Sequence, residues 1–331
     1  MKKIIYLCIA FLIIFASASS LFSAEKAITI RTAGMVNPDH NWTKSQYLFK
    51  KYLEEQSKGK IKVQVYHSGQ LGGVIEVLEG VKAGTITMGF GSAGFMMRFV
   101  PSMGVYNLPY VWNKDMKRCW KILDGPYGKA RAKEAEKAGL KVLGYLENGF
   151  RNITNNKRPI YSPDDLKGLK IRVISSPVYL ESFKAFGASP VPMDWTEVFS
   201  ALQQGVIDGQ ENPIPVIYTQ KVYEVQKYLS LTGHANDIMV MYMNKKFYED
   251  LPGDLKKIVS EGAHKASLWQ RKENSRDNER MLALLKQKGM KVNKLTDKQI
   301  SVFQERCKPV YDMFSKDLGV ELVSQLIRLN Q

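Results

Sequence analysis

The first apolar run of the chain differs from every later one. Met1-Lys2-Lys3 is followed by unbroken apolar residues from Ile4 to Phe15 and then by the small residues Ala16 to Ser20. A charged start, a short apolar stretch and a small-residue exit make a secretory leader. The run falls short of the roughly 20 residues that a membrane-spanning helix needs. Cleavage after Ala18 fits an Ala-x-Ala pattern, and cleavage after Ala24 suits the strand that follows; both stay open. Cys8 lacks small residues before it, which argues against lipid attachment there.

Beyond the leader the period alternates between two and 3.6. Residues 27–32 and 61–66 predict strands, and Ser45 to Glu55 carries Tyr47, Leu48, Tyr52 and Leu53 at helical spacing. Val74 to Ala83 predicts a helix, Thr85 to Phe90 a strand, Lys121 to Ala138 a charged amphipathic helix and Lys141 to Tyr145 a strand. A second unit opens near Arg151. Ser162-Pro163-Asp164-Asp165 starts a helical turn. Strand Lys170 to Val173, helices Tyr179 to Phe186 and Trp195 to Gly205, and a strand-like Val206 to Asp208 follow. Ile238 to Met243 predicts a strand that returns to the first unit.

Pro252 to Leu285 is helical almost without a breaker, with apolar Leu255, Ile258, Val259, Ala263, Ala266 and Leu268. Some 30 residues at 1.5 Å each span about 45 Å, while Gln270 to Arg280 is too polar for a coiled-coil seam. Alternating strands and helices imply mostly parallel pairing with both faces covered. The predicted fold class is α/β with two lobes, each a mixed sheet flanked by helices, and a long helix bracing both. The expected organisation is a leader at 1–24, lobe one at 25–149 plus 238–277, lobe two at 150–237 plus 278–331, and a cleft between them.

The 331 residues carry a formal charge of +16, which steers small anions towards a cleft. The lysines are spread along helices rather than gathered in a run or an aromatic stripe, and the leader exports the chain, so no nucleic-acid partner is expected. Cys119 and Cys307 would outlast the leader. An oxidising compartment permits them to pair, but their spacing does not establish a bond, and free buried thiols are the preferred reading.

The search for catalysis is negative. His40, His67, His234 and His264 form no His-Glu-x-x-His, and Glu261 with His264 lacks the second Glu-x-x-His that a bridged metal needs. There is no Gly-x-Ser-x-Gly elbow. Gly89, Gly91 and Gly94 spell a dinucleotide fingerprint, but Asp115, the acidic residue about 20 positions on, sits in a loop. Those glycines read instead as a tight turn at a strand end facing the cleft. No enzyme activity, cofactor or metal is predicted.

The richest constellation is Glu147-Asn148-Gly149-Phe150-Arg151-Asn152, Lys170-Ile171-Arg172-Val173, Gly187 to Met193, and Asp208-Gly209-Gln210-Glu211-Asn212-Pro213. An arginine at a strand end in a crevice can hold a carboxylate with two parallel hydrogen bonds. On its own residues Arg172 would serve a structural salt bridge equally well.

These segments, with Gly69-Gln70-Leu71-Gly72-Gly73 and Tyr223 to Leu229, resemble the substrate-binding subunits of TRAP transporters, the tripartite ATP-independent periplasmic family. The resemblance covers essentially the whole mature chain. It implies that Arg172 clamps a carboxylate, that Arg151 adds a charge-supporting contact, that Asn212 hydrogen-bonds the same carboxylate and that Trp195 covers the ligand. His40, Ser92, Phe95 and Glu147 stand where the family reads the rest of the ligand. The Glu147 to Arg151 run, Pro192-Met193-Asp194-Trp195 and the Tyr223 to His234 run look most like binders of sugar acids such as uronates; dicarboxylates and other monocarboxylates stay open. One departure is Val74, where many such sequences carry an acid; Glu76 comes two residues later. If that acid reads a hydroxyl, this pocket takes a less hydroxylated or more apolar ligand. The implied protein is a monomeric periplasmic solute-binding protein that closes on a small organic anion and delivers it to TRAP permease subunits. The alternative is a sensor subunit that presents its ligand to a receptor.

Overall fold

A computed structural model describes residues 27–331; the leader, its cleavage positions and Cys8 lie outside the described residues. The strands are β1 (Ile28–Ala33), β2 (Ile61–Tyr66), β3 (Met88–Ser92), β4 (Leu140–Phe150), β5 (Asn152–Asn155), β6 (Lys170–Val173), β7 (Ser189–Pro192), β8 (Gly209–Asn212), β9 (Tyr228–Leu231), β10 (Asn236–Asn244) and β11 (Lys291–Lys294). They form two sheets, in the orders β2-β1-β3-β10-β4 and β11-β9-β5-β8-β6-β7. β1 runs parallel to β2 and β3, and β10 is antiparallel to β3 and β4. In the second sheet β5 is antiparallel to β8 and β9, so both sheets are mixed. All residues of β10 are buried, as expected for an apolar strand between two neighbours with covered faces. β1 and β2 keep the two-residue alternation that their sequence predicts.

The chain passes between the sheets at Phe150-Arg151-Asn152, again between β9 and β10, and a third time along the helix Gly253–Gln287. That helix packs against Asn41–Gln56, β4 and Ile214–Thr219. A Cβ at Gly262 would sit 2.4 Å from Leu53 Cδ1, so the glycine lets the helix lie close on Asn41–Gln56. Its polar middle is buried and used. Gln270 Nε2 donates to Asn41 Oδ1 at 2.8 Å and to the Glu147 carbonyl at 2.7 Å, and its Oε1 accepts from the Glu147 amide at 2.9 Å. Arg271 forks onto Asp124 and also donates to the Tyr145 carbonyl.

Three expected elements shift for identifiable reasons. The Lys121–Ala138 helix is two helices, Met116–Asp124 and Pro126–Lys137, because Pro126 cannot continue the first and instead opens the second behind Gly125. Val206–Asp208 is no strand: Gly205 takes a left-handed turn at φ +72° and the Val206 amide bonds back to the Ala201 carbonyl, which closes the helix Trp195–Gln203. Thr85 and Ile86 do the same behind Gly84, so β3 begins only at Met88. In both cases apolar residues that mimic a strand are the hydrophobic end of a helix cap. The terminal helices were not anticipated. Asp297–Arg306 packs on the Pro163–Leu166 turn, Lys308–Leu318 on Pro177–Ala185, and Val320–Asn330 on Met116–Asp124. Cys119 and Cys307 are both buried and free.

Candidate functional site

Where the two sheets meet, the C-terminal ends of β3, β4, β6 and β8 converge with the N-terminus of the Trp195–Gln203 helix. Of the predicted residues, Ser92, Phe95, Arg151, Arg172, Trp195 and Asn212 line one cavity of about 50 Å³ there. The glycine-containing end of β3 also faces it, through Gly91. Phe150-Arg151-Asn152 turns the chain towards the second sheet, and the preceding Gly149 takes φ +108°, a conformation that favours glycine.

The two arginines differ sharply. Both are 1% exposed. Arg151 is fully occupied: Nη2 donates to Glu211 Oε1 at 2.8 Å, Nε to the same carboxylate, and Nη1 to Asp237. Burial works to lower the Arg151 guanidinium, but Glu211, Tyr179 and Asp237 outweigh it and hold the group above its ordinary value. Burial likewise works to raise Glu211, and Arg151 with His234 carries the carboxyl below the usual range. His234 Nε2 lies 3.1 Å from Glu211 Oε2. Arg151 is thus the neutralised centre of a buried network.

Arg172 has no carboxylate within salt-bridge distance among the described residues. Its Nε and Nη2 converge on one acceptor, the Met193 carbonyl, at 2.9 and 2.7 Å. Nη1 has no acceptor among the described residues, and the guanidinium lies 5.6 Å from the centroid of the Trp195 ring. Burial lowers its pKa to about 10, Glu211 offsets this in part and Arg151 adds repulsion, so it remains a cation at neutral pH. A desolvated cation beside a cavity, with a donor to spare, is an anion site.

Asn212 donates to Gln210 Oε1 at 2.6 Å. Trp195, half-buried, touches all three apolar clusters of the molecule, so it belongs to both sides of the cleft. Ser92 donates to Asp237 and accepts from the Gly94 amide as the cap of the Ala93–Met96 turn. Phe95 forms part of the wall, as does Val74.

His40 and Glu147 lie off this cavity. His40 is the cap of the helix Asn41–Gln56, with Nδ1 accepting from the Trp42 amide at 3.1 Å. Burial drives its pKa down to about 3, against the pull of Asp277, so it is a neutral structural acceptor. Glu147 turns towards a larger cleft of about 960 Å³ whose walls include Tyr110, Met116, Ser275 and Tyr311. Burial raises its carboxyl to about 7, with Asn274 and Arg271 offsetting part of the shift. The residues that sequence reasoning missed are Trp42, Asn148, Asp237 and an apolar wall that includes Val36, Phe90, Val216 and Met239. Asn148 lay inside the quoted Glu147 to Asn152 run. Asp237, a carboxylate at the mouth of an apolar strand, was a signal in plain view. Among the described residues no three His, Cys, Asp or Glu side chains gather as a metal would require.

The direct contact between the two sides is extensive. The Val74 amide donates to Asp194 Oδ2 at 2.9 Å, and Asn37 Nδ2 to the Thr219 carbonyl at 2.6 Å. A Cβ at Gly73 would meet Asp194 Oδ2 at 2.8 Å, so only glycine fits this approach without a shift. These contacts define a closed cleft.

Residues 32–317 match the family described as bacterial extracellular solute-binding protein, family 7. A 2,3-diketo-L-gulonate-binding periplasmic protein of Escherichia coli is 36% identical over 288 residues, covering 85% of this chain and 87% of that one. A C4-dicarboxylate-binding periplasmic protein of Rhodobacter capsulatus is 31% identical over 309 residues, covering 93% and 92%. The crystal structure of a sugar acid binding protein from Advenella mimigardefordensis in complex with galactonate superposes with a TM-score of 0.90 at 33% identity, covering 92% of this chain and 98% of that one.

Proposed function

The chain belongs to bacterial extracellular solute-binding protein family 7, the solute-binding subunits of TRAP transporters, and from that premise we propose that Arg172 is the group that captures its organic acid. The family is one of transport proteins rather than enzymes. The observation that carries the residue assignment is the unpaired, buried Arg172 guanidinium at the cavity wall. Its free Nη1 donates to one carboxylate oxygen, and release of the Met193 carbonyl would free the rest of the fork. Asn212 supports the same carboxylate, and Trp195 covers the ligand and excludes water. Arg151, already neutralised by Glu211 and Asp237, holds that wall in place.

The moving bodies are residues 25–149 with 238–277 and residues 150–237 with 278–331, the last helix resting on the first body. Contacts from both bodies to one ligand favour the closed form, which the membrane subunits then recognise. Every residue assigned to the ligand comes from one chain, which supports a monomeric protein. Its leader is removed on export, and N-terminal sequencing distinguishes Ala18 from Ala24. Relatives that bind diketogulonate, galactonate or C4-dicarboxylates place sugar acids and dicarboxylates in the first test panel. After unfolding and refolding to strip bound ligand, an acid at 100 times its Kd stabilises the protein by about 2.7 kcal/mol. A panel of sugar acids, dicarboxylates, keto acids and aromatic acids that left the melting temperature unmoved would overturn the reading.

A further inference from the structure

Away from Arg172 the cavity has little to offer a polyhydroxylated ligand. Val36, Val74, Phe90, Phe95, Val216 and Met239 line it, and of these only the Met239 sulfur can accept a hydrogen bond, weakly. The polar groups on the wall are mostly spent on one another. Asp237 accepts from Ser92, Asn148 and Arg151, and the Ser92 hydroxyl both donates to Asp237 and accepts from Gly94. Among the fully buried side-chain atoms of the wall, one acceptor is left over. Asn148 is 2% exposed, and its Oδ1 is buried without a donor. Its amide orientation is set by the neighbour: Nδ2 faces the Asp237 carboxylate at 2.6 Å, which accepts only, so the oxygen must be the unpaired atom. A buried acceptor left unpaired costs free energy that a ligand hydroxyl would recover.

We propose that the ligand is a monocarboxylate with a branched aliphatic body and one hydroxyl, and that Asn148 is the residue that selects the hydroxyl. This rests on the assignment of Arg172 to the carboxylate. The carboxylate takes Arg172 and Asn212, the hydroxyl donates to Asn148 Oδ1, and the alkyl branch fills the space before Val74 and Phe95.

Titration calorimetry on the refolded full chain tests this with 2-hydroxy-3-methylbutanoate, its 2-oxo counterpart, succinate and glucuronate. The hydroxy acid should bind tightest and exceed the oxo acid by about tenfold or more, since the oxo group cannot donate. In Asn148→Ala that preference should shrink to about twofold or less while the oxo acid binds as before. If that variant does not fold, the order of affinities in the unsubstituted chain decides alone. Glucuronate or succinate binding tightest, with loss of binding in Arg172→Ala, overturns the proposed ligand class and leaves the role of Arg172 standing. A hydroxy-over-oxo preference that survives in Asn148→Ala overturns the role of Asn148. No binding by any of the four acids overturns this ligand class, and the wider acid panel then decides whether the Arg172 reading falls with it.

Discussion

Arg172 and Glu147 are both buried ionisable groups that lack a direct partner of opposite charge, and they make opposite predictions. Arg172→Met should raise the stability of the ligand-free protein, because a desolvated cation is replaced by an apolar chain of similar length. It should also weaken acid binding by about 2–5 kcal/mol. Parallel melting curves and calorimetry check this, and a purely structural arginine would lose stability instead. Arg172→Lys should bind weakly as well, since one ammonium cannot reproduce the fork. For Glu147 the folded carboxyl titrates near 7 against an ordinary value of 4.5. The folded protein therefore keeps a proton that the unfolded chain releases. The associated stability is fully present below about pH 4.5 and is lost as the pH rises through about 7. Glu147→Gln should remove that loss and exceed the parent by about 2–3 kcal/mol above pH 7, read from denaturant midpoints across a pH series. Neither behaviour was legible in the sequence. The strand that carries Arg172 was, but which arginine goes unpaired depends on Glu211 and Asp237 reaching Arg151.

Among the elements, the helix Gly253–Gln287 was the easiest to foresee and the hardest to interpret. Its length followed from the lack of breakers, and its polar middle ruled out a coiled coil. What those polar residues do was hidden, because their partners lie more than a hundred positions away. Gln270 bonds both backbone groups of Glu147 in β4, beside a register shift, and Trp42 Nε1 also donates to the Glu147 carbonyl, at 3.1 Å. Gln270→Leu should cost about 1–3 kcal/mol of stability, since it strands the buried Glu147 amide. Chemical denaturation checks the value, and loss of protection at the Glu147 amide in hydrogen exchange localises it. The displaced strands at Thr85 and Val206 teach the converse. A short apolar run behind a glycine is ambiguous until one knows whether a helix has just ended and needs its last carbonyl bonded.

At the scale of the whole molecule the decisive feature is how close the two bodies come at Gly73 and Asp194. Gly73→Val should weaken acid binding by about tenfold or more while the ligand-free melting temperature stays within a few degrees, because the added side chain obstructs closure rather than either core. Small-angle scattering should show the parent contracting on ligand addition and the variant contracting less. Sequence alone determined the alternation of strands and helices, the two-lobed plan and the set of arginines and asparagines from which an anion site could be built. All of these rest on local period, capping chemistry and residue type, which neighbours in the chain decide. Only the tertiary structure decided that His40 caps a helix, that Glu147 lines the larger cleft, that Arg151 is neutralised and Arg172 is not, and that Asn148 keeps a free acceptor. Each of those depends on charges and hydrogen-bond partners brought together from distant strands, and burial, which sets their energies, does not exist until the two sheets meet.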